Sequence, residues 1–355
     1  MNSLVKIPLP IHGRGAESNP LNRFERLDIA PEMDEFDPDS PGPKTQFFHD
    51  STRQIIATND SPDVGFEASI NPYRGCEHGC VYCYARPTHE YLGFSSGLDF
   101  ESRIMVKMEA ANLLRGELSK PKWKPKVLSM SGVTDCYQPV ERQLKITRGC
   151  LEVLAEFGNP VTIITKSHLV TRDIDVLKRL AAENLTAVMI SITTLDKEIA
   201  GVMEPRAPSP ARRLAAVTEL TAAGIPVGVM AAPIIPGLTD HEMPELLKAA
   251  AAAGAKFCGY TSVRLPFAVK DLFADWLAAH FPDRKEKVLN RIRELHNGKL
   301  NESTFGSRMR GHGPWADQIK QIFDLARRQN GLDQPFPRLS VDAFRPAKSA
   351  QLTLW

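Results

Sequence analysis

The chain lacks the long apolar segments that would place it in a membrane or send it out of the cell. No run reaches the roughly 18 uninterrupted apolar residues that a membrane-spanning helix needs. The most apolar run, residues 227–238, is broken by Pro233 and Pro236. The opening MNSLVKIPLPIHGRG has no apolar stretch of the kind that a secretory signal carries. We therefore expect a cytoplasmic protein without a membrane partner.

Disulfides and a strong net charge are also missing. Six cysteines in 355 residues are too few for a disulfide scaffold. The net charge of +2 indicates no particular polyanionic partner. The charge is unevenly distributed, because residues 1–65 hold 6 basic and 11 acidic residues and the remainder carries a net charge of +7. The 43% hydrophobic and 24% charged fractions are those of a soluble globular protein.

Short apolar runs alternate with segments of helical periodicity between about residues 66 and 265. The runs cover residues 67–73, 126–132, 161–165, 187–193, 226–233 and 256–263. Amphipathic segments lie between them at residues 102–118, 143–157, 174–182, 211–223 and 241–253. Runs that are apolar almost throughout are typical of parallel strands covered on both faces. This pattern predicts an α/β fold whose parallel sheet is open or curled into part of a barrel.

The two ends of the chain differ from this middle part. Residues 1–65 contain eight prolines and little periodicity, which predicts an extended leader that wraps on the body or stays partly disordered. After Pro266 the chain is mostly helical, with amphipathic segments at 269–280, 284–295 and 316–329. We therefore predict an extended, acidic, proline-rich leader (1–65), a core (66–265) and a helical C-terminal extension (266–355).

Three of the cysteines fall within eight residues, in the segment NPYRGCEHGCVYCYARP with the spacing Cys-x3-Cys-x2-Cys. The segment directly follows the first predicted strand, at the strand end where barrel and open-sheet enzymes build their sites. Two glycines let the backbone turn tightly, so that Cys76, Cys80 and Cys83 converge on one centre. Thiolates select zinc, copper(I) or iron–sulfur clusters, so the spacing indicates a metal centre.

The number of thiolates bears on which metal centre this is. A closed structural zinc site takes four ligands, and His78 or His89 would complete such a set. A four-iron cubane held by three cysteines keeps one iron open for another ligand. Three thiols packed for structural reasons alone are a further interpretation, although free cysteines seldom cluster among Gly, Arg and His. The alternative function is a zinc or iron–sulfur module that binds nucleic acid without turnover.

The segment Cys76-x3-Cys80-x-Tyr82-Cys83, at the end of the first strand of a βα array, resembles the signature of the radical S-adenosylmethionine (SAM) superfamily. The resemblance covers about residues 66–265 and implies a partial (β/α)6 barrel similar to a TIM barrel. It also implies a [4Fe-4S] cluster on the three cysteines, with SAM bound to the unique iron. Reductive cleavage of SAM would then give a 5′-deoxyadenosyl radical, with a flavodoxin or ferredoxin as electron donor.

Further segments are similar to those of spore photoproduct lyase and its relatives. They are residues 129–139, 164–167, 191–196, 204–217 and 228–237. The opening GRGAESNPLNRFE and the later RMRGHG resemble an uncharacterised bacterial branch of that group instead. The reaction of the lyase is therefore not implied. The substrate is unknown, with a nucleic-acid base or a nucleotide as the first expectation from this similarity.

The end of the second predicted strand offers acceptors for the amino group of SAM. They are Ser131, Gly132, Thr134 and Asp135. A turn that closes the strand would explain the same residues equally well. Tyr82, Tyr84 and Pro233 are candidates to contact the adenine, an assignment that leans on the resemblance because apolar strand ends are usually core.

Residues at the next strand ends are candidates for the carboxylate and the ribose of SAM. They are Lys166 and Ser167 after the third strand, Ser191 and Thr193 at the fourth, and Arg206 in the loop beyond. Lys166 matches by position a lysine that binds the carboxylate in the lyase group, although a solvated lysine would look the same. Arg206 is suited to a bidentate clamp, but a pair with Glu204 would look the same in sequence.

Cys136 and Tyr137, just beyond the second strand, are the nearest candidates for returning a hydrogen atom to a substrate radical. The donor cysteine of the lyase lies a few residues earlier, where this sequence has a glycine. An inert loop thiol is therefore the competing interpretation of Cys136. The loop FGSRMRGHGPW places Arg308 and Arg310 among glycines, which suits either phosphate binding or simple solvation.

Overall fold

A computed structural model describes residues 11, 13–16, 18–24 and 44–346 of the chain. The strands in these residues are β1 (Gln46–His49), β2 (Ile56–Thr58), β3 (Ala68–Ile70), β4 (Tyr73–Arg74), β5 (Arg103–Val106), β6 (Leu128–Met130), β7 (Val161–Thr165), β8 (Thr186–Ile192), β9 (Val227–Ile234) and β10 (Phe257–Ser262). Much of the predicted leader and the end of the predicted C-terminal extension lie outside the described residues. The boundaries at residues 65 and 265 stay predictions.

The α-helices in the described part of the chain are α1 (Leu98–Ser102), α2 (Ala110–Leu118), α3 (Glu141–Leu144), α4 (Ile146–Phe157), α5 (Ile174–Ala182), α6 (Lys197–Met203), α7 (Pro210–Ala222), α8 (Met243–Ala252), α9 (Val269–His280), α10 (Lys285–Leu295) and α11 (Gly313–Gln329). None of these helices is both long enough and apolar enough to cross a membrane. The helices α5 and α9 have the bounds that the periodicity predicts.

The larger sheet has seven strands in the order β10-β9-β8-β7-β6-β3-β2. Every neighbouring pair from β3 to β10 is parallel, whereas β2 runs antiparallel to β3. A smaller sheet joins β1, β5 and β4. Helices connect the successive parallel strands, as crossovers between parallel strands require. All six predicted strands are therefore present and pair in chain order.

The two edges of the larger sheet are brought toward each other. The N–H of Ser262, at the end of β10, donates to the carbonyl of Met309 at 2.8 Å. In the same loop Arg308 donates from Nε to Asp63, at 2.5 Å, and Asp63 lies between β2 and β3. The sheet therefore curls, and the predicted partial (β/α)6 barrel is confirmed.

The parallel strands are buried because helices cover one face of the sheet and side chains fill the other. All seven residues of β8 are buried. Removing apolar area from water contributes roughly 25 cal/mol per Å², which accounts for the Ala, Val, Met and Ile residues at five of its seven positions. The carboxyl ends of the parallel strands meet at one rim, which we call the mouth of the barrel.

Two predicted helices are wrong in part. The first section of the predicted helix 102–118 is the strand β5, which pairs in parallel with β1. This pairing joins segments that are more than 50 residues apart, so local periodicity does not reveal it. The predicted helix 143–157 is interrupted at Lys145, whose φ of +54° ends α3 before α4 begins.

Candidate active site

The cysteine loop, residues 75–84, leaves the sheet after β3 and turns twice at glycine. Gly75 has a φ of +81° and Gly79 a φ of +68°, both in the left-handed region. A Cβ on Gly75 would lie 2.8 Å from the carbonyl oxygen of Phe100, and one on Gly79 would lie 2.6 Å from Oε2 of Glu101. Both turns therefore need glycine for conformation and for space.

The three cysteines of this loop are free thiols that lie close enough to influence one another. Burial raises the pKa of Cys76 well above its ordinary value, and Asp135, Cys80 and Cys83 raise it further; Cys83 also raises the pKa of Cys80. Burial is the main cause that raises the pKa of Cys80 to about 12, and the nearby Lys166 opposes this rise. Cys76 and Cys80 are buried, whereas Cys83 is partly exposed.

Each of the two histidines near this loop uses one ring nitrogen for a contact with another residue, whereas His89 Nδ1 is buried without a hydrogen-bond partner. His78 Nδ1 lies 3.4 Å from Oδ2 of Asp135, and His89 Nε2 lies 2.9 Å from the carbonyl of Arg103. Burial lowers the pKa of His89 to about 4. Among the described residues, no three His, Cys, Asp or Glu side chains are grouped as ligands of one metal ion.

Because the described residues group no histidine or carboxylate with these cysteines around one point, a donor set of three thiols suits an iron–sulfur cluster better than a closed zinc site. Each thiolate of a cubane cluster binds a different iron, so the three sulfur atoms need not converge on one ion. Cys76, Cys80 and Cys83 are therefore the residues that would hold such a cluster.

Asp135 joins the ends of β6 and β7. Its carboxylate accepts hydrogen bonds from the Thr165 hydroxyl at 2.7 Å, the Lys166 N–H at 2.8 Å and the Tyr137 N–H at 2.9 Å. Burial alone would raise the pKa of Asp135, but the charge and hydrogen bond of His78 and these other donors lower it to about 2. The carboxylate is thus ionised and closes the turn, as one of the two sequence interpretations expects.

The other candidates after β6 also have protein partners. Ser131 has a φ of +76°, unusual outside glycine, and its Oγ accepts the N–H of Cys136 at 2.7 Å. The Thr134 hydroxyl is buried and donates to the carbonyl of Tyr73 at 2.9 Å. The carbonyl of Gly132 accepts the Tyr84 hydroxyl at 2.8 Å. The structure brings these residues to the mouth, where most of their polar groups hold the loop in shape.

Lys166 and Ser167 differ in what they offer a ligand. The Ser167 hydroxyl caps the short 3-10 helix His168–Asp173 by accepting the N–H of Leu169 at 3.2 Å. The ammonium group of Lys166 makes no hydrogen bond or ion pair with the described residues. It lies 5.7 Å from the centroid of the Tyr82 ring. Lys166 is therefore a cation near the thiols that remains available to an anionic ligand.

Tyr82, Thr193 and Glu204 form a buried network with Arg213, a residue that the sequence analysis missed. The Glu204 carboxylate accepts hydrogen bonds from the Tyr82 hydroxyl, the Thr193 hydroxyl and the Arg213 guanidinium. Burial alone would raise the pKa of Glu204, but Arg213 and then Lys166 lower it to about 2. This network fixes the ring of Tyr82 beside the thiols.

A sequence signal for Arg213 exists. Arg213 shares one face of α7 with Ala216, Val217 and Leu220, all of which are buried. An arginine at helical spacing from three apolar residues faces the core, and a buried cation needs a carboxylate partner. Its Nη1 also donates to the carbonyl of Ser191 at 3.3 Å, which ties α7 to the end of β8.

Arg206 pairs with a different carboxylate from the one that the sequence suggested. Its Nη2 lies 2.8 Å from Oε1 of Glu77, and its Nη1 donates to the Thr45 hydroxyl at 2.9 Å. The alternative of a Glu204–Arg206 pair is wrong, because Arg213 occupies Glu204. Pro233 follows a cis peptide bond in β9, and the oxygen of the preceding Ala232 carbonyl lies 3.0 Å from the Thr193 hydroxyl oxygen.

Cys136 and Tyr137 lie in the hydrophobic core behind the end of β6. Both side chains are 0% exposed. The Tyr137 hydroxyl donates to Oδ2 of Asp173 at 3.0 Å. Burial raises the pKa of the Cys136 thiol and of the Tyr137 hydroxyl well above their ordinary values. Neither side chain reaches the surface of the mouth in this structure, and their role as hydrogen-atom donors stays a prediction.

Tyr84 and Arg264 form a second feature that sequence reasoning did not find as a pair. The Arg264 guanidinium lies 4.9 Å from the centroid of the Tyr84 ring, and Tyr84 is 49% exposed. Arg264 follows β10, whereas Tyr84 belongs to the cysteine loop, so only the curl of the barrel brings them together. Arg264 makes no hydrogen bond or ion pair with the described residues.

Comparison with known proteins identifies the family. The model of the radical SAM superfamily matches residues 70–250. The chain belongs to the radical SAM superfamily. It is therefore a radical SAM enzyme, and this family implies SAM and an iron–sulfur cluster as its cofactors. The cysteine loop lies inside the matched range.

Similar proteins include an uncharacterised protein of Mycobacterium tuberculosis, 37% identical over 245 residues that cover 68% of this chain and 71% of that protein. A solved structure of a mutant spore photoproduct lyase matches 83% of this chain and 82% of its own with a TM-score of 0.58 at 17% identity. Spore photoproduct lyase complexed with dinucleoside spore photoproduct matches 80% and 78%, with a TM-score of 0.56 at 17% identity. At such identity these structures share the radical SAM fold with this chain.

Proposed function

We propose that this radical SAM enzyme holds a [4Fe-4S] cluster on Cys76, Cys80 and Cys83 and cleaves SAM reductively. When bound, the cluster supplies the electron that converts SAM to methionine and a 5′-deoxyadenosyl radical, which abstracts hydrogen from a substrate. The observation that carries this proposal is the group of three free thiols on a glycine-turned loop at the carboxyl end of β3, in which Cys83 packs against the clusters that contain Cys76 and Cys80. A flavodoxin or ferredoxin is the proposed electron donor.

The chain's own residues at the mouth suit the charged ends of SAM. Lys166 provides the cation that the methionine carboxylate needs, and no described carboxylate competes for it directly. Ser131 Oγ, which accepts one backbone hydrogen bond, has a second lone pair for the amino group. Asp135 and Thr134 hold this loop in position rather than bind the ligand through their side chains.

The proposed substrate class is a nucleic-acid base or a nucleotide. Tyr84 supplies an exposed ring next to the third cysteine, and the Arg264 guanidinium covers part of it. An aromatic ring with an unpaired arginine suits a planar base that carries a phosphate, because stacking and charge act together. The lyase solved with a dinucleoside photoproduct has the same fold and supports this choice.

The proposal is tested on anaerobically purified and reconstituted protein. Wild type is expected to bind about four irons per chain, as three thiolates on a cubane require, and to release 5′-deoxyadenosine from SAM with dithionite. The Cys80→Ala variant is expected to lose both. Cys258→Ala is the matched control, since Cys258 lies in β10 and contacts the carbonyl of Leu332 at 3.8 Å, away from the loop.

Full iron content in Cys80→Ala, or a single bound zinc with no iron in wild type, contradicts the proposal. If Cys258→Ala also lost iron, the loss in Cys80→Ala would reflect general damage to the fold rather than loss of a ligand. For the SAM carboxylate, Lys166→Ala is expected to weaken SAM binding about tenfold with the cluster retained, measured by titration calorimetry. Unchanged SAM affinity contradicts the role of Lys166.

A further inference from the structure

The N-terminal strap, which we define as residues 13–16 and 18–24, lies along residues 86–101. Its contacts there are the Ser18 carbonyl with the Leu98 N–H at 3.2 Å, the Asn19 side chain with Asp99 at 3.0 and 3.2 Å, and the Asn22 amide with the carbonyls of Glu90 and Phe94, both at 3.1 Å. The sequence predicted an extended leader that wraps on the body or stays partly disordered. In the described residues this part of it packs on the segment that supports the cysteine loop.

Glu101 connects the strap to the rest of this region. It is fully buried and accepts hydrogen bonds from the N–H of Gly15 at 3.1 Å and of Ala16 at 2.9 Å. Its Oε1 also accepts Nη2 of Arg86 at 2.8 Å, and Arg86 is likewise fully buried. Each buried charge thus has its partner, and two strap N–H groups complete the hydrogen bonds of the carboxylate.

Arg86 carries the connection on to the cysteine loop. Its Nε donates to the carbonyl of Cys80 at 3.0 Å, and its Nη2 donates to the carbonyl of Gly79 at 3.1 Å. These are backbone groups of the proposed ligand loop itself. A continuous set of hydrogen bonds therefore runs from the strap through Glu101 and Arg86 to the residue that carries the second thiol.

The strap also touches the loop directly at Gly15. A Cβ on Gly15 would lie 1.6 Å from the carbonyl oxygen of Gly79 and 3.2 Å from the nitrogen of Val81. Both neighbours are backbone atoms, so no side-chain rotation would make room. Any larger residue at position 15 must lift the strap or push the cysteine loop.

We infer that the strap is a positioning element of the cofactor site, in which Gly15 and Glu101 hold the outer side of the cysteine loop against Arg86. The inference rests on the proposed function only for the identity of the group that the loop holds. It also gives a physical role to residues 13–16 and 18–20 of the opening segment, which contain none of the predicted site residues.

Alkylation of individual cysteines in the metal-free, full-length protein tests this inference without any cofactor. Maleimide labelling under native conditions is followed for each cysteine by peptide mass spectrometry. In Gly15→Ala the labelling rate of Cys80 is expected to rise at least about tenfold, because the overpacked strap opens locally. Cys150, fully buried in α4, is expected to keep its wild-type rate.

The matched control is Gly116→Ala, the same change in α2 at a glycine whose added Cβ meets nothing within 4 Å. It is expected to label like wild type. The inference is overturned if Gly15→Ala leaves Cys80 as protected as in wild type. It is equally overturned if Cys80 and Cys150 become reactive in step, since that pattern reports global unfolding.

A milder variant keeps the test decisive if Gly15→Ala fails to fold. Asn22→Ala removes the two hydrogen bonds that join the strap to the carbonyls of Glu90 and Phe94, and one within the strap, so the Cys80 rate is expected to rise by about threefold with Cys150 unchanged. An unchanged Cys80 rate overturns the inference.

After reconstitution, iron is expected to leave Gly15→Ala faster than wild type in the presence of a chelator. If wild type binds no iron, the proposed function is contradicted, whereas the alkylation result still tests the positioning role of the strap.

Discussion

The charged side chains beneath the cysteine loop form ion pairs, whereas two cations at the mouth do not. Beneath the loop, Arg86 pairs with Glu101 and Arg213 pairs with Glu204, and all four side chains are almost completely buried. At the mouth, Lys166 and Arg264 make no hydrogen bond or ion pair with the described residues, although both contact a tyrosine ring.

This difference separates scaffold from site. A charge that is buried and fully hydrogen-bonded stabilises one arrangement of the backbone, because any movement leaves it without a partner. A cation that contacts only the face of an aromatic ring keeps its hydrogen-bonding capacity for a ligand. We therefore expect loss of the paired residues to cost stability, and loss of the unpaired residues to cost ligand binding.

The largest effect is expected from breaking a buried pair. Arg213→Met leaves the Glu204 carboxylate buried without its cation, which should destabilise the protein by about 3–5 kcal/mol. Urea unfolding followed by circular dichroism measures this loss. The double variant Glu204→Gln/Arg213→Met is expected to be more stable than Arg213→Met, because it removes both charges. Equal stability of the two variants contradicts the assignment of the pair.

The pH dependence of stability sharpens the same point. The pKa of Glu204 is lowered from 4.5 to about 2, because Arg213 outweighs the effect of burial. A lowered pKa contributes stability that is present above about pH 4.5 and is lost as the pH falls toward 2. Between these values the free energy of unfolding of wild type should fall more steeply than that of Glu204→Gln/Arg213→Met. Parallel curves would show that this pair does not titrate as described.

A smaller effect, on binding alone, is expected at the mouth. Arg264→Ala removes the unpaired cation over Tyr84, so affinity for a short single-stranded oligonucleotide should fall about tenfold at low salt. The free energy of unfolding should change by less than about 0.5 kcal/mol. Fluorescence anisotropy and urea unfolding give the two numbers. A stability loss as large as that of Arg213→Met would place Arg264 in the scaffold.

The smallest effect is expected from a pair on the surface. Nη1 of Arg115 lies 2.5 Å from Oε1 of Glu156, and the two side chains are 45% and 56% exposed. Such pairs contribute about 0–1 kcal/mol, because water screens the charges. Arg115→Ala should therefore lower the free energy of unfolding by no more than about 1 kcal/mol. The affinity for SAM should not change. A larger loss of stability would show that exposure does not separate the two classes of pair.

Much of the fold was predictable because its signals are local. The run 187–193 predicted a buried strand, and β8 is buried at every residue. The periodicity of residues 174–182 gave α5 with its observed bounds. The spacing of the cysteines predicted the loop that the family match contains. Each of these features depends on residues within about ten positions of one another.

The misses involve partners far apart in the chain. Arg206 and Glu77 are 129 positions apart, and no local pattern indicates that they pair. The burial of Cys136 follows from packing against other elements of the core rather than from its neighbours in sequence. The contact between Tyr84 and Arg264 requires the sheet to curl before the two side chains meet.

By itself the sequence determined the order of the six parallel strands of the larger sheet, the position of the three thiols after β3, and the family. Burial periodicity, turn residues and ligand spacing are carried by neighbouring residues, so they can be recognised without coordinates. Only the tertiary structure decided which charges are paired, which thiols are enclosed, and that Gly15 rests on the carbonyl of Gly79. Those outcomes depend on distances between segments that meet only when the barrel has formed.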